Sequence, residues 1–444
     1  MGAMTHPRLQ AVLAAVEALD VDAMREARDR QDQLTKPPGA LGVLEEASVR
    51  LAGIQRVCPP EPMTRPAVAV FAGDHGVHAQ GVTPWPQEVT ASMIENFRAG
   101  GAAVNVLARQ VGAEVYVVDM GVAADVASGP TVWDHKVRRG TSDLAIEPAM
   151  SVDEAVQGLL AGVAVADRLV DAGHDCLLTG DMGIANTTPS AALVAAFTGT
   201  APAQVTGRGT GVDDPTLARK VEVVERAVAD RPVTDDPVQT LASLGGFEHA
   251  GIAGFVLGAA ARRVPVVLDG VIAGSAALVA HALAPDAVTH CFAGHRSVEP
   301  GHAVALARLG LRPLVDLDLR LVPGGAAAGG PACRGGGRRP RRPAPDPAAA
   351  RRGRRRGGGL AGDDAGRRGA GDVGRGDLAR APVRRGRPRR GVVRDRRDRR
   401  PGRQRPGGGR GRVAPGVLRA RRRRAARHRL DARGRPARRG HRGG

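Results

Sequence analysis

Residues 176–193 read CLLTGDMGIANTTPSAAL and contain the pattern that decides the fold. An apolar run of strand type ends at Asp181, and a short polar segment separates it from an apolar helix. Asn186 and Thr187 stand where this helix begins, and Pro189 lies near its first turn, where proline is favoured. Free amides at such a helix start can hold an anion, but Asn and Thr also cap ordinary helices. The pattern alone leaves both interpretations open.

Further strand-like runs occur on both sides of this segment and alternate with helical stretches. They are rich in β-branched or apolar residues and span 67–73, 115–122, 264–270, 287–294 and 314–321. One helical stretch, 151–172, opens with Ser151 and Glu154 at the spacing of a capping box. The alternation predicts an α/β fold in which helices cover both faces of a parallel sheet. Ligands of such folds bind at the carboxyl ends of the strands.

Three more polar or glycine-rich segments are candidates for a site, and two of them come directly after predicted strands. Asp74 and His75 belong either to a site loop or to an ordinary turn. In residues 206–220, Arg208 and Lys220 can neutralise a phosphate, although a glycine-rich solvent loop has the same pattern. That segment fits neither a Walker loop nor a dinucleotide-binding fingerprint. The last segment is a polar loop or a site loop, and its side chains include His295, Ser297 and Glu299.

The charge of the chain is divided sharply at Leu321. The whole chain of 444 residues has a formal charge of +20, which is typical of a nucleic-acid binder. After Leu321, however, there are 40 Arg, no Lys, 8 Asp and no Glu, which gives +32 for this part and −12 for the rest. The first 321 residues therefore have the composition of an acidic globular protein.

Several other classes of protein are not favoured by the sequence. The N-terminus has no signal-peptide pattern, and no apolar run reaches membrane length. The four cysteines have no paired spacing, which predicts a reduced cytoplasmic location and offers no zinc site.

The segment 322–444 consists almost entirely of Arg, Gly, Pro and Ala, and ten residue types are missing from it. Such a composition cannot bury enough apolar surface to fold, so the segment is predicted to be disordered. An arginine-glycine tail can bind RNA, but this one lacks aromatic residues for base stacking. Because these four residues are the ones that G- and C-only codons specify, translation of a GC-rich gene in another reading frame is the favoured explanation.

The motifs of the first 321 residues occur together in an order that resembles one family. They are LTKPPGALGVLEEASVRLAGIQ, FAGDHGV, GDMGIANTTPSAAL, GRGTGVDD, LGGFEHAGIAGFVLGAA and VLDGVIAGSAAL. Over about residues 7–321, the chain resembles the nicotinate-nucleotide–dimethylbenzimidazole phosphoribosyltransferases of cobalamin synthesis. The resemblance implies a large parallel-sheet α/β domain, a small helical domain formed by both chain ends, a homodimer, and no metal or organic cofactor.

The resemblance also implies a reaction and a domain organisation. Phosphoribose moves from nicotinate mononucleotide to 5,6-dimethylbenzimidazole, which gives α-ribazole 5′-phosphate and nicotinate. Residues 1–60 correspond to the helical small domain, 61–321 to the α/β phosphoribosyltransferase domain, and 322–444 to the tail. The expected location is the cytoplasm, and nucleic acid is not expected as a partner except through the tail.

Site residues carry over position by position from the family. Trp85 and Met93 fall where the family lines its benzimidazole pocket, and Asp181 falls where many members have Glu. Six residues match positions around the nucleotide and its phosphate: Gly183, Asn186, Thr187, Gly207, Lys220 and Ser297.

The chain departs from the family just after Leu321. The family continues with Gly-Glu-Gly, and that Glu is its catalytic base, but Pro323 stands at this position. Asp181 is the only nearby carboxylate that can substitute. The resemblance therefore predicts a transferase with impaired activity, and the alternative is a catalytically dead ligand-binding α/β protein with an RNA-binding tail.

Overall fold

The computed structural model describes residues 6–231 and 234–318, which form strands and helices in alternation. The strands are β1 Pro66–Gly73, β2 Glu114–Gly121, β3 Val132–Asp134, β4 Cys176–Met182, β5 Val266–Leu268, β6 Cys291–His295 and β7 Pro313–Val315. The helices up to β4 are α1 Pro7–Ala15, α2 Val21–Gln33, α3 Val43–Gln55, α4 Val89–Arg98, α5 Ala103–Val111 and α6 Val152–Asp171. The later helices are α7 Thr187–Thr198, α8 Pro202–Val205, α9 Asp214–Asp230, α10 Pro237–Leu244, α11 Phe247–Ala261, α12 Val271–Leu283 and α13 Pro300–Leu309.

Within the described residues the seven strands form one sheet in the order β3-β2-β1-β4-β5-β6-β7, and every neighbouring pair is parallel. The order reverses between β1 and β4, which are hydrogen-bonded neighbours although β2 and β3 lie between them in the chain. Phe71 of β1 is in register with Val118 of β2 and with Asp181 of β4. Loops that leave the sheet at such a reversal diverge and open a crevice at its carboxyl edge.

Alternate residues of β1 enter separate clusters on the two faces of the sheet. Ala67, Ala69 and Phe71 belong to a large core with residues of α6, α7, α11 and α12. Val68 and Val70 belong to a smaller core with residues of α4 and α5. Because side chains of a strand point alternately to opposite faces, this division shows that helices cover both faces. The predicted α/β fold with a parallel sheet is therefore confirmed.

The helix α11 is buried along almost its whole length, because its small residues allow close contact with α6. A Cβ atom on Gly254 would lie 1.9 Å from the carbonyl oxygen of Leu159, so no larger residue fits there. This contact holds two helices against the large core and leaves the loop before α11 directly below the carboxyl edge.

Most of the predicted elements are confirmed, with differences at the later strands. The helix 151–172 is α6, and both hydrogen bonds of its capping box are present. The prediction of a strand from residue 287 is wrong, because a 3-10 helix occupies Pro285–His290 and β6 begins only at Cys291. The strand 264–270 is reduced to three residues, and β3 was not predicted.

The N-terminal helices are fastened to the sheet by arginine side chains that reach backbone carbonyls. Arg50 of α3 donates to the carbonyls of Thr289 and Cys291 at 2.9 and 2.6 Å. Arg263, after α11, donates to the carbonyl of Gly53 in α3 at 2.7 Å. Helices α2 and α3 also share a small apolar cluster of their own.

Several predictions concern residues outside the described part of the chain. They are the disordered tail 322–444, Pro323 at the position of the family base, and the end of the strand 314–321. No helix among the described residues combines the length and the apolar character that a membrane span requires. These residues also contain no group of three or more His, Cys, Asp or Glu side chains arranged for a metal ion.

Candidate active site

Asp181 lies at the carboxyl end of β4, where the strand order reverses. Its Oδ1 atom accepts a hydrogen bond of 2.8 Å from Nδ2 of Asn186. Burial, together with the negative charges of Asp269 and Glu248, raises the pKa of Asp181 to about 7 against the opposing effect of Asn186. A carboxyl group with a pKa near neutrality is suited to accept a proton during a reaction.

Lys220 of α9 is a buried cation close to the same edge. Its Nζ donates to Oγ1 of Thr187 at 2.7 Å and to the carbonyl of Gly207 at 3.0 Å, and both acceptors are neutral. Burial lowers its pKa to about 8, and the charge of Glu299 opposes this effect. Among the described residues no carboxylate lies within 4.0 Å of the Lys220 ammonium. A third N–H of this ammonium is therefore available to an anion.

Asn186 and Thr187 connect these two charged groups at the start of α7. No side-chain hydrogen bond caps this helix. The Asn186 side chain turns to Asp181 instead, and the Thr187 hydroxyl turns to Lys220. The interpretation of Asn186 as an ordinary helix cap is therefore wrong. Two consecutive residues hold a carboxyl group and an ammonium group on neighbouring sides of one crevice.

Trp85 and Met93 form an apolar surface near the carboxyl ends of β1 and β4. Both side chains are partly buried and pack against the smaller core, which includes Met182 and Ile184 from the segment after Asp181. The backbone N–H of Ile184 donates to Thr90 in α4 at 3.2 Å and joins this surface to the β4 loop. Trp85 and Met93 therefore pack on the sheet face that carries Met182, next to the loop that follows Asp181.

Gly183 is explained by the close approach of two strands. A Cβ atom on this residue would lie 2.3 Å from the Gly73 carbonyl oxygen and 3.0 Å from Nε2 of His75. Any larger residue would therefore push β1 and β4 apart at their carboxyl ends.

Ser297 lies in the loop between β6 and α13. Glu299, two residues later in this loop, contacts Gly207. The Ser297 hydroxyl accepts a hydrogen bond of 3.2 Å from the Glu299 N–H, and the Ser297 N–H donates to Nδ1 of His302 at 3.0 Å. Burial lowers the pKa of His302 to about 4, so this ring stays neutral and its Nδ1 can accept. The same loop contacts the segment whose Gly207 carbonyl binds Lys220.

The sequence reasoning missed Glu248, which forms a charged cluster below the crevice with His75 and His249. All three side chains are completely buried, and one carboxylate oxygen of Glu248 lies 3.0 Å from Nε2 of His75 and 2.8 Å from Nδ1 of His249. The Glu248 carboxylate is therefore held between two imidazole rings. Two adjacent polar residues, Glu248 and His249, in an otherwise apolar segment were the available signal.

The contacts within this cluster shift the pKa values of Glu248 and His75. Burial alone would raise the pKa of Glu248, but His75 and His249 outweigh burial and hold it well below its usual range. Burial alone would lower the pKa of His75, and Glu248 reverses this effect and raises it. His75 therefore contributes positive charge from below Asp181 and does not itself line the crevice.

The candidate residues thus divide into two groups around Asp181. Trp85 and Met93 lie on the side of β1 and β2, and the polar group lies on the side of β4 to β6. A separate cavity of about 630 Å³ lies between the N-terminal helices and α12, and none of the candidate site residues lines it.

The chain is similar to known proteins over most of its described part. The phosphoribosyltransferase family DBI_PRT matches residues 16–331. The chain is 60% identical to a nicotinate-nucleotide–dimethylbenzimidazole phosphoribosyltransferase of Salinispora tropica, over 71% of this chain and 91% of that protein. It is 57% identical to the enzyme of the same name from Chloroflexus aggregans, over 69% and 87%. A crystal structure of the Thermus thermophilus enzyme of this name matches with a TM-score of 0.65 and 47% identity, over 68% of this chain and 90% of that one.

Proposed function

The chain belongs to the nicotinate-nucleotide–dimethylbenzimidazole phosphoribosyltransferase family, and we propose how its residues perform the reaction of that family. The enzyme transfers phosphoribose from nicotinate mononucleotide to 5,6-dimethylbenzimidazole in the nucleotide-loop assembly of cobalamin. The products are α-ribazole 5′-phosphate and nicotinate.

The observation that carries this assignment is the pair Asn186 and Thr187. These neighbours place a carboxyl group of raised pKa and a buried ammonium of lowered pKa on two sides of one crevice. We place the nucleotide phosphate at Lys220, with Thr187, Gly207 and Ser297 around it. The benzimidazole then lies against Trp85 and Met93, and the ribose C1′ lies between the two groups.

The chemistry of the transfer needs positioning and one base. A benzimidazole nitrogen forms a bond to C1′ on the face opposite the nicotinate, while the C1′–N bond breaks and its electron pair neutralises the pyridinium. The other benzimidazole nitrogen gives up its proton, which Asp181 accepts. Holding both planar substrates in line supplies much of the remaining rate enhancement.

We assign the role of base to Asp181 because Pro323 has no group that can accept a proton. Replacement of residues 322–324 by Gly-Glu-Gly is expected to raise the rate of α-ribazole phosphate formation by about a hundredfold, since a positioned base is worth ~10²–10⁴-fold. Equal rates for the two chains would show that a Glu at this position is not the base here.

The direct test combines nicotinate mononucleotide with dimethylbenzimidazole and follows both products by chromatography. Lys220→Met removes the ammonium but keeps the length of the side chain, so binding of the nucleotide in calorimetry is expected to weaken by roughly 1.5–3 kcal/mol. Arg219→Ala changes an exposed neighbour on the same helix and serves as the control. Unchanged binding by the Lys220 variant would remove this residue from the phosphate site.

We also propose a homodimer in the cytoplasm, with domain boundaries near residues 60 and 321. Three exposed leucines between the end of α2 and the first turn of α3 support the dimer, because exposed apolar side chains are common at interfaces. They are Leu34, Leu41 and Leu44. Light scattering of the purified chain tests this proposal. The alternative of an RNA-binding tail concerns residues outside the described part of the chain.

A further inference from the structure

A carboxylate already reaches into the loop that we assign to the substrate phosphate. Oε1 of Glu299 accepts a hydrogen bond of 2.8 Å from the backbone N–H of Gly209. Its Oε2 lies against Gly207, where a Cβ atom would come within 2.2 Å of it. Gly207 thus leaves room for the Glu299 carboxylate beside the segment whose carbonyl binds Lys220.

The backbone around Glu299 is held firmly, but its carboxylate is not. Glu299 stands at the N-cap of α13, yet its side chain makes no capping hydrogen bond and turns to Gly209 instead. Its N–H is fixed by the Ser297 hydroxyl. Among the described residues the carboxylate accepts a hydrogen bond from Gly209 alone, so a change of side-chain rotamer is enough to remove it from the loop.

The Glu299 carboxylate acts on Lys220 electrostatically but does not form an ion pair with it. The charge of Glu299 opposes the burial that lowers the pKa of Lys220. The bonded partners of Lys220 remain Thr187 and the Gly207 carbonyl, which are neutral. Glu299 therefore compensates the buried ammonium from a distance and leaves its third N–H free.

A phosphate bound to Lys220 and to the Gly209 N–H needs the space and the donor that Glu299 holds. Two anions in one partly buried loop repel each other strongly, because protein surroundings screen charge less than water does. A nucleotide is also held through its ribose and base and can displace the carboxylate. Free inorganic phosphate has no such additional contacts.

We propose that Glu299 is a specificity-determining residue, whose carboxylate occupies the phosphate loop until the phosphate of the nucleotide displaces it. The inference rests on the proposed function, since it assumes that the loop takes a phosphate. Glu299 thereby excludes inorganic phosphate from the empty site and weakens retention of the phosphorylated product.

Two substitutions separate this role from simple support of the loop. Glu299→Gln removes the charge but keeps an oxygen that can accept from Gly209, and Glu299→Ala removes both. Calorimetry with inorganic phosphate and with nicotinate mononucleotide is expected to give at least tenfold tighter binding of both ligands by Glu299→Gln. Glu299→Ala is also expected to bind them more tightly than the parent chain, and nicotinate riboside, which lacks the phosphate, should bind all three chains equally.

Glu222→Gln on the exposed face of α9 makes the same change of charge and serves as the control. Unchanged phosphate binding by Glu299→Gln, or an equal gain by the control, would overturn the proposal. Weaker binding by Glu299→Ala together with unchanged binding by Glu299→Gln would assign Glu299 to loop support and would also overturn it. If the parent chain bound no nucleotide at all, the proposed function would fail. The binding of inorganic phosphate by Glu299→Gln would still test whether the Glu299 carboxylate keeps phosphate out of the loop.

Discussion

Asp181 combines a favourable position for proton transfer with an unfavourable environment for a charge. Burial and the nearby carboxylates raise its pKa to about 7. The folded state therefore binds a proton at Asp181 more tightly than the unfolded chain does. This preference stabilises the fold below the unfolded pKa of the group and is lost as the pH rises through 7. At alkaline pH the charged form costs stability, as is usual for groups kept for function.

Asp181→Asn is expected to make the enzyme less active and more stable. The variant keeps an oxygen for the Asn186 hydrogen bond but cannot accept a proton, so the rate should fall by about 10²-fold or more. At pH 8 its free energy of unfolding should exceed that of the parent chain by roughly 1–3 kcal/mol, and at pH 4 the difference should vanish. Turnover assays and urea titrations measure both quantities. A variant of full activity would exclude Asp181 as the base.

The parent chain should also show an acid limb in its rate. Protonated Asp181 cannot act as a base, so turnover is expected to fall as the pH drops below about 7. The test is a pH–rate profile measured with saturating substrates. A profile that stays flat down to pH 5.5 would contradict the assignment.

The negative charge of Glu248 contributes to the stability of the fold. It lies between His75 and His249, and all three side chains are inaccessible to water. Its lowered pKa contributes stability above its unfolded value that is lost as the pH falls through the folded one. The raised pKa of His75 contributes stability below about pH 6.5 that is lost as the pH rises through the folded value.

Glu248→Gln is therefore expected to destabilise the fold by about 3–5 kcal/mol, because it leaves the buried charge of His75 without a counter-ion. Urea unfolding at pH 6.5 measures this loss. Glu222→Gln, an exposed substitution of the same kind, should change the unfolding free energy little. A loss of the same size in both variants would show that the buried Glu248 carboxylate contributes no more to stability than the exposed Glu222 carboxylate does.

At the scale of elements, α3 depends on an arginine that leaves its own helix. Arg50 donates to two carbonyls before and within β6, and its guanidinium lies 4.7 Å from the centre of the Phe292 ring. Burial lowers the pKa of Arg50, which shows that the charge is largely removed from water. By contrast, Arg56 after the same helix pairs with Glu17 in an exposed position.

Arg50→Ala is expected to loosen the N-terminal helices selectively. Loss of the charged hydrogen bonds should cost roughly 1.5–3 kcal/mol, and amide hydrogens of α2 and α3 should exchange faster while those of β1 and β4 do not change. The control Arg56→Ala loses an exposed ion pair worth only about 0–1 kcal/mol. Hydrogen exchange followed by mass spectrometry compares the two variants, and equal exchange would contradict the proposed anchorage.

At the scale of the whole molecule, the division of charge separates the catalytic part from the tail. The chain carries +20 in total, but residues 1–321 alone carry −12. A chain that ends at Leu321 is therefore expected to lose retention on heparin, a polyanion, at low salt. Its affinity for nicotinate mononucleotide should not change, because the candidate phosphate residues all precede residue 300. Weaker nucleotide binding by the shortened chain would show that the tail contributes to the site.

The local sequence pattern was sufficient to predict the strands and helices whose apolar runs or capping residues lie within one segment. The bounds of β1, β2 and β4 agree with their apolar runs to within a residue, and α6 begins at its capping box. The run from residue 287 failed because its apolar residues, Ala287 and Val288, are buried equally well in a 3-10 turn. The edge strand β3 has three residues, too few for a periodic signal, and is held by its pairing with β2.

The residue types around the site were likewise readable from the chain, since motifs after strand ends must converge at one edge of a parallel sheet. Tertiary structure decided which side chains meet. It joined Asn186 to Asp181 rather than to the helix start, enclosed His75 with Glu248, and directed Glu299 into the Gly207 segment. The last two contacts join residues that lie 90 or more positions apart in the chain, and no local pattern encodes such partners. Spacing along a chain determines periodic elements, whereas the burial of charge, and with it the pKa of each group, depends on distances that only the packed molecule sets.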